Sequence, residues 1–306
     1  MRLATTTGDF AGYFETCAES VKCLYDAGFR YIDIMLDGRA ANNEFILNDN
    51  WEDNAKRLRE YAENLGMKFV QAHAPSYGGP KLSETERMEE LTRRTIRSIE
   101  VCGVLGVENN VVHAAPEVGI GEEEFLIGNK AFYEKLFPTM EKWNVNVLAE
   151  NSTKVNMRHG YYLISGEDMV KFLRYVNHPL LHACWDTGHA NVEGPQYEHL
   201  VALGSELRAL HIHDNRGERD EHILPWFGTM NLDDLMHGII DSGYKGYFTF
   251  EAGSTLRPAR YWLGNRREYP DDTRLLHPQF FMDRKLEELM YEMGEYILKT
   301  YDVFEE

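Results

Sequence analysis

Six short apolar runs in this chain end in side chains that can bind a divalent cation or carry a proton. They close as Ala72-His73-Ala74, Val112-His113-Ala114, Ala149-Glu150-Asn151, Trp185-Asp186-Thr187-Gly188-His189, His211-Ile212-His213-Asp214 and Phe250-Glu251-Ala252. Taken singly, each has an ordinary structural reading: a histidine at the end of a strand finds a hydrogen-bond partner, and an acid after an apolar run caps a helix. Together they say more. If the six ends meet, Glu150, Asp186 and Glu251 share one place shielded from water, where unpaired negative charges either take up protons or cost on the order of several kcal/mol. A divalent metal ion removes that conflict. These residue types therefore point to a metal centre that polarises an oxygen ligand, beside carboxylates that take and return a proton.

The elements that must bring the ends together are strands alternating with helices. Strand patterns cover Arg2–Thr7, Tyr31–Leu36, Lys68–Ala72, Asn110–His113, Val145–Glu150, His182–Asp186, Arg208–His213 and Tyr247–Glu251. Between them lie helical patterns such as Trp51–Leu65, Thr85–Val104, Ala131–Trp143, Gly166–Val176 and Leu232–Asp241, with a last one over Met282–Tyr301. Ser83 and Asn231 are placed to cap helix starts, and Gly66, Gly106 and Gly243 to end helices. Eight such pairs predict a closed parallel (β/α)8 barrel, in which the C-terminal strand ends converge on one mouth. An open doubly wound sheet would share these local signals, but no Gly-rich phosphate fingerprint follows the first strand.

The chain has 306 residues, 43% of them hydrophobic, enough for one large core and one domain over residues 1–306. No apolar run approaches the roughly 20 residues of a membrane span, and the start lacks a signal-like stretch, so a soluble, cytoplasmic protein is expected. Cys17, Cys23, Cys102 and Cys184 lie in apolar contexts without CxxC spacing, as reduced core thiols do. Fifty acidic residues against 32 basic ones give a net charge of −18. Such a chain repels polyanions, and no dense Lys/Arg run offsets this, so no nucleic-acid partner is expected. One irregular stretch, from Gly253 to Phe281 after the eighth strand, is rich in Arg, Tyr, Trp and Phe. It is expected to cover the barrel mouth or to join two subunits of a homo-oligomer.

In these motifs the chain resembles the xylose isomerase-like barrels, a family that includes sugar isomerases, ketose 3-epimerases, inosose dehydratases and apurinic-site endonucleases. The most specific pieces are Asp186-Thr187-Gly188-His189, His211-Ile212-His213-Asp214, Asp220-Glu221-His222 followed by Pro225 and Gly228, Phe250-Glu251, and Glu150-Asn151. The resemblance covers nearly the whole chain. It implies a metal held by Glu150, Asp186, His211 and Glu251, with Glu150 and Glu251 also as the catalytic acid and base. His211 is preferred to His213 because it stands three residues before Asp214, where the family's ligand lies; strand alternation lets both face the same way. His189, His73 and His113 match substrate contacts. His73, His113, His189, Asp220 and His222 also correspond to the additional metal ligands of the trinuclear endonucleases. Arg216 stands near, but not on, the family's substrate-contacting arginine.

What the resemblance implies is a metal-dependent sugar isomerase or epimerase, working by proton abstraction beside a metal-bound carbonyl through an enediolate. The oxygen-rich ligand set suits Mn first, with Mg or Co as alternatives, and Zn if the extra histidines hold further ions. Two alternatives remain: an apurinic-site endonuclease with a trinuclear zinc centre, and a lyase that dehydrates or cleaves a C-glycoside on the same metal site. Departures from the endonuclease pattern at Asp214-Asn215-Arg216-Gly217-Glu218-Arg219 and Pro225-Trp226-Phe227, together with the acidic charge, favour a small, neutral sugar as substrate.

Overall fold

The computed structural model describes residues 1–157, 160–256 and 278–306. Eight parallel strands form the sheet: β1 (Arg2–Thr6), β2 (Tyr31–Met35), β3 (Lys68–His73), β4 (Asn109–Val112), β5 (Asn146–Glu150), β6 (Leu181–Asp186), β7 (Leu207–His211) and β8 (Tyr247–Phe250). Their order is β7-β6-β5-β4-β3-β2-β1-β8, so each strand lies beside its sequence neighbour and β8 beside β1. The ring closes just beyond the end of β7. Ile212 bridges Phe250 there: its amide donates to the Thr249 carbonyl at 2.8 Å, and the Glu251 amide donates to the Ile212 carbonyl at 3.1 Å. This closure is what sets Glu251 beside His211. The expected (β/α)8 barrel is the observed fold.

Helices wrap the outside, and the main hydrophobic core lies between them and the strands. The helix Thr85–Leu105 shows why: Met88, Leu91, Thr95, Ser98, Ile99 and Cys102 fall on one face at helical spacing and are buried. It ends where Gly106 takes φ 78°, a left-handed conformation that glycine adopts without a side-chain clash. Two local expectations change. The pattern over Ala131–Trp143 is two helices, Glu122–Glu134 and Phe137–Trp143, because Pro138 lacks an N–H and fits only in a first turn. Ser83 does not cap its helix. Glu84 occupies that position after a tight turn in which its amide bonds the Lys81 carbonyl, and the Ser83 amide donates to Glu117 instead. Asn231 does cap, its Oδ1 accepting from the Asp234 amide.

The final helix begins at Phe280, earlier than the expected Met282, because the Phe280 ring packs edge-on against Phe10, Tyr13 and Phe14. Most of the aromatic stretch expected over residues 253–281 falls at 257–277, outside the described residues. All four cysteines are buried and unpaired. No helix among the described residues is long and apolar enough to cross a membrane.

Inside the barrel, alternation puts the residue two positions before each rim group on the same inward face. Gln71, Val111, Leu148, Cys184, Ala209 and Thr249 stand there, joined by Asp33 of β2, which pairs in register with Gln71. These side chains are at most 2% exposed and form a floor under the mouth. Four of the seven, Val111, Leu148, Cys184 and Ala209, form an apolar cluster of their own. The other three are polar, with the Gln71 amide donating to Asp33 at 3.1 Å. Leu148→Ala should cost about 2–5 kcal/mol, the range for truncating a buried leucine whose cavity cannot collapse. Chemical denaturation measures this, and a loss below about 1 kcal/mol would show a floor that is not tightly packed.

Candidate metal centre

Every rim residue singled out in the sequence except Arg216 arrives at the mouth. His73, Glu150, Asp186 and His211 are the last residues of β3, β5, β6 and β7; His113 and Glu251 directly follow β4 and β8. Asp220 and His222 come from the loop after β7, which is held against the sheet by the Asp214–Ile223 bridge. His189 sits in the first turn of the helix Thr187–Glu193, where the Asp186 carboxylate accepts its backbone N–H at 2.6 Å. Asp186 thus caps a helix with one oxygen and faces the mouth with the other.

The donors form four overlapping groups: His73, His113 and Glu150; Glu150, Asp186, His211 and Glu251; His213, His222 and Glu251; and His189, Asp220 and His222. Within each group the ligand atoms lie within 4.8 Å of one another. Glu150 joins the first two. Its Oε1 is 2.9 Å from His211 Nδ1, and its Oε2 is 3.2 Å from His113 Nε2 and 3.6 Å from His73 Nε2. His211 Nδ1 is also 3.5 Å from Glu251 and 4.0 Å from Asp186. On the far side, Asp220 Oδ2 takes His189 Nε2 and His222 Nε2, each at 3.1 Å. Both His211 and His213 face this interior. His213 turns its Nε2 to Asp186 at 2.9 Å and stacks on His222 with ring centres 3.9 Å apart.

Ring orientation is set from behind. His73, His189 and His222 each turn Nδ1 to a backbone carbonyl, of Ala74, Asn151 and Glu251 respectively, at 2.9 to 3.0 Å. With Nδ1–H donating there, Nε2 is presented to the carboxylates, the tautomer a metal ligand needs. His211 is reversed: Nδ1 faces the donors and Nε2 lies 3.5 Å from Asp33. That carboxylate–imidazole pairing orients metal-binding histidines. Meanwhile Glu150 Oε2 and Asp220 Oδ1 are buried without a hydrogen-bond partner. Four carboxylates and six imidazoles, with inward oxygens left unsatisfied, fit one or more divalent cations.

The charge pattern of the metal-free site agrees. Burial pushes the Glu150 carboxyl up, but His113 and His211 more than offset it and hold it well below the usual carboxylate range. Burial likewise opposes, and His222 and His189 overcome, for Asp220. Burial lowers the His73 and His189 pKa values, yet Glu150 raises the first to about 9, and Asp186 with Asp220 raises the second to about 10. His113 goes the other way, depressed chiefly by burial. Protonated rings at His73 and His189 therefore balance part of the carboxylate charge.

Asp33 and Tyr161 were not singled out in the sequence, whereas Gly188 and Asp214 lie in its quoted motifs. Asp33 carries one usable signal, an acid in the middle of the apolar run Tyr31–Met35. Tyr161 gave none: its hydroxyl donates to the Glu150 carbonyl at 2.8 Å and accepts from the Ala114 amide at 3.3 Å, tying two strand ends together. Gly188 is required by packing, since a Cβ there would lie 1.9 Å from the His213 ring. Asp214 is a structural hub that accepts the amides of Asn215, Gly228 and Met230. Arg216 pairs with Glu221 at 2.7 Å on the loop.

A closed parallel barrel with candidate metal donors gathered on its C-terminal rim defines the class of this protein, a (β/α)8 barrel. The family model described as the xylose isomerase-like TIM barrel matches residues 21–275, and the chain belongs to that family. It is 29% identical over 205 residues to an uncharacterized protein of Methanocaldococcus jannaschii, covering 65% of this chain and 69% of the other. Over 88 residues it is 39% identical to fructoselysine 3-epimerase of Escherichia coli O157:H7, covering 28% of this chain and 32% of the other. Among solved structures it superposes on D-psicose 3-epimerase from Clostridium cellulolyticum H10 with a TM-score of 0.72 at 15% identity, over 97% of this chain and 99% of that one.

Asp33→Asn keeps the side-chain shape but removes the charge behind His211. It should weaken binding of Mn by about 10- to 100-fold while the fold survives; unchanged affinity in a Mn titration would leave Asp33 a packing role only. Metal entry should also displace protons. The folded pKa values of His73 and His189, about 9 and about 10, lie above the usual value of 6.5. Their contribution to apo-protein stability is thus full below about pH 6.5 and is lost as pH rises through 9 to 10, while metal affinity rises over the same span. Calorimetry at pH 7 in buffers of different ionisation enthalpy should show release of at least one proton per chain on loading. No release would contradict protonated rings.

Proposed function

We propose that the protein is a divalent-metal-dependent epimerase or isomerase of a sugar or sugar derivative, with Mn as the leading metal. The observation that carries this reading is the pair of carboxylates, Glu150 and Glu251, in one donor group with Asp186 and His211. A divalent ion held there would polarise a carbonyl and its neighbouring hydroxyl and so acidify the C–H of the hydroxyl-bearing carbon next to the carbonyl. Glu150, buried and held ionised, takes the proton from that carbon. Glu251, whose side chain is 14% exposed, returns it from the mouth side. His189, turned inward through Nε2, positions a hydroxyl, and His73 and His113 contact the sugar from the β3 and β4 side. Arg216, on the loop after β7, would contact the substrate by exchanging its Glu221 partner for a substrate oxygen. The net charge of −18 favours a neutral sugar over a phosphorylated one. The likeness to fructoselysine 3-epimerase and to the psicose epimerase structure supports the same chemistry.

The reading takes the chain as one domain, working in a reducing cytoplasm that suits four unpaired cysteines. It also takes the protein as a homo-oligomer, supported by the exposed Trp226, Phe227, Phe281 and Tyr296. A second reading has a specific observation in its favour. Two of the donor groups, His73–His113–Glu150 and His189–Asp220–His222, are nitrogen-rich and flank the central one, as a trinuclear zinc phosphodiesterase would require.

One experiment separates the two. Glu150→Gln and Glu251→Gln, assayed with Mn on ketoses and keto-glycosides beside an abasic-DNA control, should each lose at least about 100-fold in kcat on the sugar that the parent protein turns over. Metal analysis of the parent protein should give one ion per chain. Three zinc ions with cleavage of the abasic strand would establish the second reading instead.

A further inference from the structure

Beside the metal donors, between the segments that follow β3 and β4, lies a cavity of about 210 Å³. His113 is the wall the two share: it lines the cavity and also faces Glu150 at 3.2 Å. The rest of the lining is apolar for most of its extent, with Pro80, Leu91, Ala115 and Met157 among its residues. Its polar groups are largely spent elsewhere. The Ser76 hydroxyl donates to Asp37 at 2.6 Å. The Val112 carbonyl accepts from the Tyr133 hydroxyl, and the Ala115 amide and carbonyl are both taken by the Asn129 side chain. The Ala74 carbonyl accepts from His73 and the Pro116 carbonyl from the Leu82 amide.

A hydroxylated sugar tail entering this space would give up hydrogen bonds to water and find few in return, a loss of the kind that excludes polar groups from apolar sites. An apolar group loses nothing. An apolar cavity of about 150 Å³ is known to hold benzene, so this one is large enough for an aromatic ring.

We propose that this cavity is a subsite for an aryl-sized apolar substituent, so that the substrate is a sugar derivative carrying such a group. The substrate part of this inference rests on the epimerase or isomerase reading above; the cavity's preference for an apolar occupant does not. Two measurements keep them apart.

The first is binding without turnover. Metal-loaded protein labelled with [methyl-13C]methionine, its Met157 resonance assigned through Met157→Leu, is titrated with benzene; a saturable shift of Met157 that Ala115→Leu abolishes is expected. The second is specificity, read as the ratio of kcat/KM for phenyl over methyl 3-ketoglucoside and for 1-anilino-1-deoxyfructose over fructose. Ala115→Leu should lower the ratio at least tenfold in one pair, and Ala115→Val by a smaller factor. No Met157 shift in the unsubstituted protein at saturating benzene, or a ratio left unchanged in folded Ala115→Leu and Ala115→Val, overturns the proposal. Benzene binding with no turnover of any sugar would sink the epimerase reading and retain the cavity as an apolar ligand site.

Discussion

Everything at the barrel mouth depends on one electrostatic constraint: Glu150, Asp186, Asp220 and Glu251 are brought together where water is largely excluded. Like charges in such a place need positive partners close by. Imidazoles supply them: His73, His189, His211 and His222 all have pKa values raised above the usual histidine value and so hold protons beside these carboxylates. A divalent cation would satisfy the same carboxylates. Proton and metal are alternative solutions to one charge problem, which is why the donor groups overlap through Glu150, Glu251 and His222 and do not stand apart.

Such a cluster keeps its geometry only on a stiff frame. Three histidines are locked through Nδ1 to backbone carbonyls at strand ends, so their orientation is as rigid as the barrel itself. Beneath them the floor is divided, apolar under β4 to β7 and polar under β2, β3 and β8. The polar half places Asp33 behind His211. The Asn151 side chain fastens the end of β6 by accepting the Asp186 amide at 2.7 Å and donating to the Asp186 carbonyl at 2.9 Å. Asp186 and Glu150 therefore move together, with little freedom to relax away from each other's charge.

The mouth is also asymmetric in polarity. Toward β6, β7 and the loop after β7 it is dense with charge and imidazole. Toward β3 and β4 it opens on an apolar hollow whose main-chain groups are mostly satisfied by side chains from behind. His113 stands on the boundary, and it is the imidazole whose pKa burial depresses, so it meets that hollow uncharged. A ligand spanning both halves would place its reactive, oxygen-rich end among the donors and an apolar end away from them.

The barrel and its rim could be read from the sequence because both rest on local patterns. Apolar runs with a polar residue at one end, repeated between helical segments, specify strand, direction and rim position without any knowledge of contacts. Glu150, Asp186 and Glu251 were placed at the rim that way; strand alternation let His211 and His213 both face inward, and the preference for His211 came from the family resemblance. What the tertiary structure decided is who meets whom. Closure between Ile212 and Phe250 puts Glu251 against His211, and the return of the loop after β7 lays Asp220 and His222 over His189 and His213. Asp33, Tyr161 and the cavity beside His113 have no sequence pattern of their own, because each acts through neighbours from other strands. Asp214, inside a motif that looked chemical, proved to hold three backbone amides. Periodicity along a chain fixes which face a residue takes, whereas partners across a barrel depend on closure, register and loop path, which no single segment encodes.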